Sequence, residues 1–373
     1  MKLRFLVSSI DWILLSSAFL LAGIGMAMLV SAADTGTGIS PLFYRQAIAL
    51  AVGFVVIVGT MKIPYVFWRR AAPLLFIVGV SIQFGLSLFG RTIRGTVSRI
   101  ELVGFQIQPS EFMKVLLVII IAWALAKHKK LGMQALLITG ALVAIPVLLV
   151  LQEPDLGMAV VIIALWAGAL LVFGLPWKYF AMLGLVGAIA FGVAWQGIIL
   201  DYQKERILTF LNPTADPLRS GYNVTQSIIA LGSGEVLGRG LGHGPQSQLK
   251  FLPERHTDFI LASVGEELGF IGIALVVSLY SILLARIIRV FRTTTDPFGQ
   301  LLASGAFFIL MIGFTVNAGM NMGLLPVTGI PLPFISYGGS NLITSCFLLG
   351  LVESVKIHGK FARHAPSELS SFT

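Results

Sequence analysis

Apolar residues recur along this chain in long runs separated by short polar breaks. The runs near 12–32, 43–61, 72–90, 109–127, 134–151, 157–174, 178–200, 258–285, 300–322 and 335–355 are each close to the roughly 20 residues a helix needs to cross a bilayer core. The pattern predicts an all-α polytopic membrane protein of about ten transmembrane helices. The long polar stretch 201–257 falls between the seventh and eighth helices and reads as a large extracytoplasmic loop. Residues 1–360 form a single transmembrane domain in this reading, and 361–373 a short cytoplasmic tail.

Composition strengthens this picture. The 373 residues are 56% hydrophobic and only 12% charged, with a mean hydropathy of +0.90. A soluble domain carries about 25% charged residues, so the two or three soluble domains that length alone would suggest are excluded. The one cysteine, Cys346, lies in an apolar run and supports neither an internal disulfide nor a cysteine-rich metal site. The basic N-terminus, Met1 to Arg4, precedes an apolar stretch without a convincing cleavage site, and reads as a retained first helix rather than a signal peptide.

Charge then orients the helices. With the N-terminus in the cytoplasm, 15 of the 26 basic residues fall in inside segments, ten fall outside and Lys114 lies within a span. Both termini are then cytoplasmic. The outside set is the more informative. Arg91, Arg94 and Arg99 crowd the connection between the third and fourth helices, and the 201–257 loop holds six more basic residues. Two readings stand: long loops escape the positive-inside rule, or this surface receives an anionic substrate. No soluble basic domain accompanies the net charge of +9, so nucleic acid is not an expected partner. Anionic and phosphorylated membrane lipids are.

Ionisable residues inside a membrane are costly and are functional candidates by default. In Gln108–Lys114 the sequence QPSEFMK places Glu111 and Lys114 three apart on one helix face, where they can pair. That pair either fixes helix packing or presents Lys114 to a cavity. In Leu151–Met158 the turn QEPDLG carries Glu153 and Asp155. Asp155 is placed either to cap the next helix or to bind a cation or a basic side chain. The stretch from Gln246 to Phe270 packs Lys250, Glu254, Arg255, His256 and Asp258 just before an apolar helix. Thr257 or Asp258 is positioned to cap that helix, and the acid also sits where a lipid-linked headgroup would lie. Glu266 and Glu267 fall two turns deeper, and at least one must face protein. Finally, Gly323–Asn341 breaks helical structure with three prolines and several glycines, tolerable at membrane depth only under protein or water. Ser336, Tyr337, Ser340 and Asn341 bring uncharged hydrogen-bonding groups there. Weaker signals fail on context. The glycine run Gly238–Gly244 lacks the strand–turn–helix setting of a phosphate loop, and the five histidines lack metal spacing.

These motifs together resemble the SEDS family, the shape, elongation, division and sporulation proteins. The resemblance covers nearly the whole chain. It is carried by Tyr44-Arg45-Gln46, the QPSE-x-x-K stretch at 108–114, PDLG at 154–157, FLPERHTDF at 251–259, EELGF at 266–270 and LPFISYGGS at 332–340. The run QSQLKFLPERHTDF is closer to the RodA branch than to the FtsW branch. One departure stands out. Before QPSE the family has a Gly-x-x-Arg-Trp type pattern, whereas this chain reads Gly95-Thr96-Val97-Ser98-Arg99. Either Arg94 or Arg99 takes the place of that arginine.

The resemblance implies a peptidoglycan glycosyltransferase of the bacterial inner membrane. It would polymerise lipid II on the outer face during cell-wall elongation, together with a class B penicillin-binding protein transpeptidase. It also implies that Asp258 is the essential aspartate and that Glu111 and Lys114 form the family's intramembrane ion pair. The chemistry is consistent. An inverting transfer needs one base for the acceptor proton, which Asp258 can supply. The pyrophosphate leaving group needs positive charge, for which Arg45, Arg94, Arg99, Lys114, Arg206 and Arg255 are candidates. A divalent cation (Mg or Mn) is an alternative source of that charge, with Asp155 or Asp258 then a ligand. The competing functions are a lipid II flippase and a non-enzymatic scaffold for the transpeptidase.

Overall fold

The structure is a computed structural model that describes residues 9–31, 40–89, 100–102, 105–128, 132–197, 199–212 and 221–364. It is an all-α membrane bundle. Helices occupy all ten expected segments: α1 (Trp12–Ser31), α2 (Pro41–Lys62), α3 (Tyr65–Phe89), α4 (Pro109–Leu125), α5 (Met133–Gln152), α6 (Leu156–Val172), α7 (Trp177–Gly197), α11 (Ile260–Thr293), α12 (Pro297–Asn321) and α13 (Gly339–His364). Eight are long and apolar enough to cross a bilayer. The other two, α4 and α6, have 17 residues each, at the lower limit for a span. The helix α13 continues to His364, past the expected end of the span at 355.

Two regions differ from the expectation of plain loops. The stretch 201–257 carries three helices, α8 (Asp201–Leu211), α9 (Tyr222–Ser233) and the single turn α10 (Pro245–Gln248). The connection before α4 contains a two-stranded antiparallel hairpin, β1 (Ile100–Leu102) paired with β2 (Phe105–Ile107). Residues Arg91, Arg94 and Arg99 lie outside the described residues, so their expected role is left to the sequence.

The core is built where α4, α12 and α13 meet. Nearly all of α4 is buried, and α13 packs along α2 while α12 packs on α4, α6 and α11. By contrast α7 buries none of its residues. At the end opposite the 201–257 region, buried Asp11 joins three elements. Its carboxylate accepts from Arg286 on α11 at 2.6–3.0 Å and pairs with Lys356 on α13 at 3.0 Å. Its own N–H donates to Glu353 at 3.0 Å.

The feature that shapes the site is a corner in α11. Gly269 has φ 65° and ψ −163°, so two helical pieces meet there. Tyr280 packs on Phe314. At equal rise, Asn321 at the end of α12 would then face residue 273. Instead its Oδ1 accepts from Ala262 N–H at 3.0 Å, eleven residues further and about 16 Å away along a straight helix. The corner closes that gap by folding 260–268 back over the end of α12. A Cβ on Gly265 would accordingly lie 3.5 Å from the Ile273 side chain. Glu266 and Glu267 therefore sit at a corner, not two turns down a continuous span as the apolar run implied.

Breaking a helix exposes backbone groups that a bilayer cannot satisfy. Residues 235–240 satisfy them. Arg239 N–H donates to Glu266 O at 2.9 Å and Gly240 N–H to Glu267 O at 3.0 Å. In return Phe270 N–H donates to Glu235 O at 2.9 Å and Ile271 N–H to Val236 O at 3.2 Å. The approach is so close that a Cβ at position 269 would lie 2.3 Å from Gly238 N. The glycine run thus serves as packing for the corner.

Gly269→Ala is expected to destabilise the protein by at least about 1–3 kcal/mol from backbone strain alone, with the collision adding to it. The measurement is the thermal unfolding midpoint in detergent, and a midpoint equal to wild type would refute this account of the corner.

Candidate functional site

The site lies at the 201–257 end, around the irregular segment 322–338. This segment is covered by protein, as its depth requires: Leu332, Ile335 and Ser336 are buried. Its hydrogen bonds are local and tertiary. Ser336 Oγ accepts from Leu332 N–H at 2.8 Å and donates to Thr257 O at 2.6 Å. Tyr337 N–H donates to His256 O at 2.8 Å. The Tyr280 hydroxyl donates to Pro333 O.

Asp258 is held by its backbone. Its carbonyl oxygen accepts from Asn317 Nδ2 and from Asn321 Nδ2, both at 2.9 Å. The helix α11 starts after Phe259, so neither Thr257 nor Asp258 occupies its N-cap position. The half-buried Asp258 side chain instead faces Gly329, where a Cβ would lie 3.6 Å from Oδ2. The start of α6 also packs on this segment. A Cβ on Gly157 would meet Thr328 O at 2.5 Å, so only glycine permits that approach. Residues 328–330 therefore lie against both Asp258 and the first turn of α6, which Asp155 precedes.

Asp155 does cap α6, accepting from Met158 N–H at 2.9 Å through Oδ1, while Oδ2 accepts from Gln108 Nε2 at 3.4 Å. Burial raises its pKa, with Glu111, Lys114 and Arg206 in electrostatic reach. Beneath it lies the ion pair. Lys114 Nζ is 2.8 Å from Glu111 Oε2, and both side chains are buried. Asn341 Nδ2 donates to the same oxygen at 3.1 Å and Thr344 Oγ1 at 3.4 Å. Lys114 also lines a small cavity with Ile330, Pro331, Pro333 and Asn341. Ser340 Oγ accepts from Gln108 N–H at 3.0 Å.

The cations divide by position. Lys114 and Arg255 are buried, with Arg255 Nε 3.4 Å from His256 Nε2. Lys114 is therefore tied to Glu111 below the surface. Arg45, Arg206 and Lys250 are exposed, and Arg206 Nη1 donates to Val327 O at 3.5 Å. Among the described residues no three His, Cys, Asp or Glu side chains gather to hold a metal ion. A divalent cation at Asp155 or Asp258 would have to complete its ligands with water or substrate phosphate, as magnesium commonly does.

Three residues here escape a search for charge. Gln46 on α2 donates to Ser336 O at 3.2 Å and accepts from Gly338 N–H at 3.1 Å. Asn317 and Asn321 bind Asp258 as described. The available signal was an amide inside an otherwise apolar run, since buried polar groups are expected to be hydrogen-bonded.

These features define a polytopic helical membrane protein with an acid set among amides and cations at one end of the bundle. A family model for the cell cycle proteins FtsW/RodA/SpoVE matches residues 11–360, and the chain belongs to that family. It is similar to the peptidoglycan glycosyltransferase MrdB of Escherichia coli K12, at 36% identity over 85% of this chain and 86% of that protein. It is equally similar to a probable peptidoglycan glycosyltransferase FtsW of Trichlorobacter lovleyi, at 36% identity over 96% of each. Among solved structures it resembles Thermus thermophilus RodA, with a TM-score of 0.71, 27% identity and coverage of 95% and 98%. A chain from a peptidoglycan synthase complex, described as coordinating polymerization and crosslinking, matches with a TM-score of 0.80, 29% identity and coverage of 94% and 98%. The RodA-like SEDS resemblance read from the motifs is borne out.

Glu111→Gln is expected to cost about 3–5 kcal/mol, because it leaves Lys114 charged and buried without its partner. Glu111→Gln combined with Lys114→Met should recover most of that loss. Thermal unfolding of the three proteins in detergent checks this, and a double variant weaker than the single one would refute it.

Burial, and then the Arg255 guanidinium, push the His256 imidazole down to about 4. A folded-state value below the usual 6.5 means that the proton favours the unfolded chain. The associated stability is whole above pH 6.5 and is lost as pH falls from there through 4, by about 2 kcal/mol at pH 5. His256→Asn should flatten the fall in unfolding midpoint between neutral pH and pH 5; an unchanged slope would contradict it.

Proposed function

We infer that this protein is a peptidoglycan glycosyltransferase that polymerises lipid II, with Asp258 as the general base. One observation carries the reading. Asp258 is fixed through its carbonyl by Asn317 and Asn321, and its half-buried side chain faces Gly329 at the 201–257 end of the bundle. The curated names of MrdB and FtsW support the activity, at 36% identity over most of the chain.

In this mechanism the acceptor sugar hydroxyl loses its proton to Asp258 as it attacks the anomeric carbon of the donor, with inversion. General-base assistance of this kind contributes on the order of 10²–10⁴-fold. Lipid pyrophosphate leaves, and exposed Arg45, Arg206 and Lys250 are the candidates to accept its charge, with arginine able to bind phosphate in a bidentate manner. A divalent cation, if bound by Asp155 or Asp258, would supply Lewis-acid stabilisation of the same oxygens. Glu111 and Lys114 act behind the site, since the pair is buried and holds Asn341 and Thr344 around it.

The remaining assignments follow the same reading. The protein sits in the bacterial inner membrane with ten spans and both termini in the cytoplasm. It works during elongation beside a class B penicillin-binding protein transpeptidase. The peptidoglycan synthase complex among its structural matches supports a penicillin-binding partner.

The test is purified protein incubated with lipid II, with and without the transpeptidase, read as glycan polymer on a gel. Wild type should form polymer. Asp258→Ala should form none while unfolding at the wild-type temperature. Full activity of Asp258→Ala overturns the reading. Transbilayer movement of lipid II without polymer would identify a flippase, and no polymer together with intact partner binding a scaffold.

A further inference from the structure

We propose that residues 235–241 are an interfacial anchor, with Val236 and Leu237 seated among the lipid acyl chains on the 201–257 side of the bilayer. The inference requires only that the bundle spans a membrane and is independent of the reaction catalysed.

Depth is set by α1, which is tied to α11 at both ends. Asp11, just before α1, pairs with Arg286. Ser31, its last residue, donates to Glu267. The 20 residues of α1 measure about 30 Å, the thickness of the hydrocarbon layer. Arg286 and Glu267 thus mark its two faces, and the corner of α11 lies at the face on the 201–257 side.

The loop takes its depth from that corner. Its ladder to residues 266–271 sets Val236 level with Ile271, inward of Glu267. The carbonyls of Glu235 and Val236 and the N–H groups of Arg239 and Gly240 are all consumed by the corner, while Gly238 N–H donates to Gly234 O at 2.8 Å. Irregular backbone normally avoids lipid because its polar groups go unsatisfied, and here that objection is largely removed.

The side chains complete the case. Val236 is 60% exposed and Leu237 77%, beside Phe270 at 66% and Ile271 at 55% on α11. The exposed pair thus continues the apolar face that α11 already turns outward. Exposed Glu235 and Arg239 flank it. An apolar tip between charged shoulders is the pattern of an element lying in the interface. The same loop leads into residues 242–248, which Glu266 and Glu267 hold through Gly242, Gln246 and Ser247. Anchoring residue 237 therefore fixes the approach to Asp258 at headgroup depth.

The test uses full-length protein in phosphatidylcholine–phosphatidylglycerol vesicles, with Cys346→Ala as background and single nitroxide-labelled cysteines at 236, 237, 270 and 201. Power saturation with oxygen and with a water-soluble nickel chelate reports depth. Asp201, fully exposed, is the water reference and Phe270 the lipid reference. Labels at 236 and 237 should both match 270, with nickel accessibility several-fold below that at 201. If either matches 201, the loop stands in water as a docking face for a soluble domain, and the proposal is overturned.

Discussion

A bilayer accepts a broken helix only if the freed backbone groups find partners inside the protein, and the corner at Gly269 meets that condition with a loop from elsewhere in the chain. The four hydrogen bonds between 235–240 and 266–271 permit a turn that would otherwise expose amides and carbonyls to lipid, each costing several kcal/mol. The buried carboxylates of Glu266 and Glu267 are tolerable for the same reason. Glu266 accepts from Gln246 N–H, Ser247 N–H and Ser247 Oγ, and Glu267 from Ser31, Gly242 N–H and Gln248. Donors aimed at a carboxylate stabilise its charged form more than neutral hydrogen bonds would. From this corner follows the position of 260–268 across α12, and from that the capture of the Asp258 carbonyl by Asn317 and Asn321.

The charges at the site fall into two groups with different physics. The deep pair Glu111–Lys114 shapes the scaffold. Removing either Glu111 or Lys114 would leave the other uncompensated, so the pair is rigid by necessity. Exposed cations such as Arg45, Arg206 and Lys250 are screened by salt, and in the proposed reaction they meet the anion. The sequence assigned Lys114 to both groups at once. Burial assigns it to the first.

Hydropathy alone made the ten helical segments legible, because each run is long enough to stand out. Asp258, Glu111 and Lys114 were legible because charge near or within an apolar run is rare. The corner was not, since the run at 258–285 stays apolar through it and Gly269 is one of 40 glycines. Its evidence lies in the tertiary pairing with 235–240, and a glycine run that failed as a phosphate loop had no local pattern to reveal this use. Gln46, Asn317 and Asn321 escaped for a related reason. An amide carries no charge to flag its burial, and its importance depends on which carbonyl it meets. The helices inside 201–257 and the hairpin before α4 are short elements, in which periodicity has too few residues to register.

The two ties between α1 and α11 bear on the proposed catalysis. Arg286 is held by Asp11 and Glu267 by Ser31, so α11 cannot slide along α1 without breaking a contact at each end of α1. The corner then transmits that register to Asp258 through nine helical residues and two asparagines. A reaction between two lipid-linked substrates leaves little freedom in depth, since both headgroups are tethered to one interface. In the proposed reaction, holding Asp258 at a constant height relative to that interface removes the remaining mismatch, since a displacement of about 1 Å is enough to lower rates by about 10²-fold. A rigid ruler across the membrane is thus a better support for Asp258 than a loop of equal length, which explains why the acid sits at the start of a membrane helix rather than within the polar region preceding it.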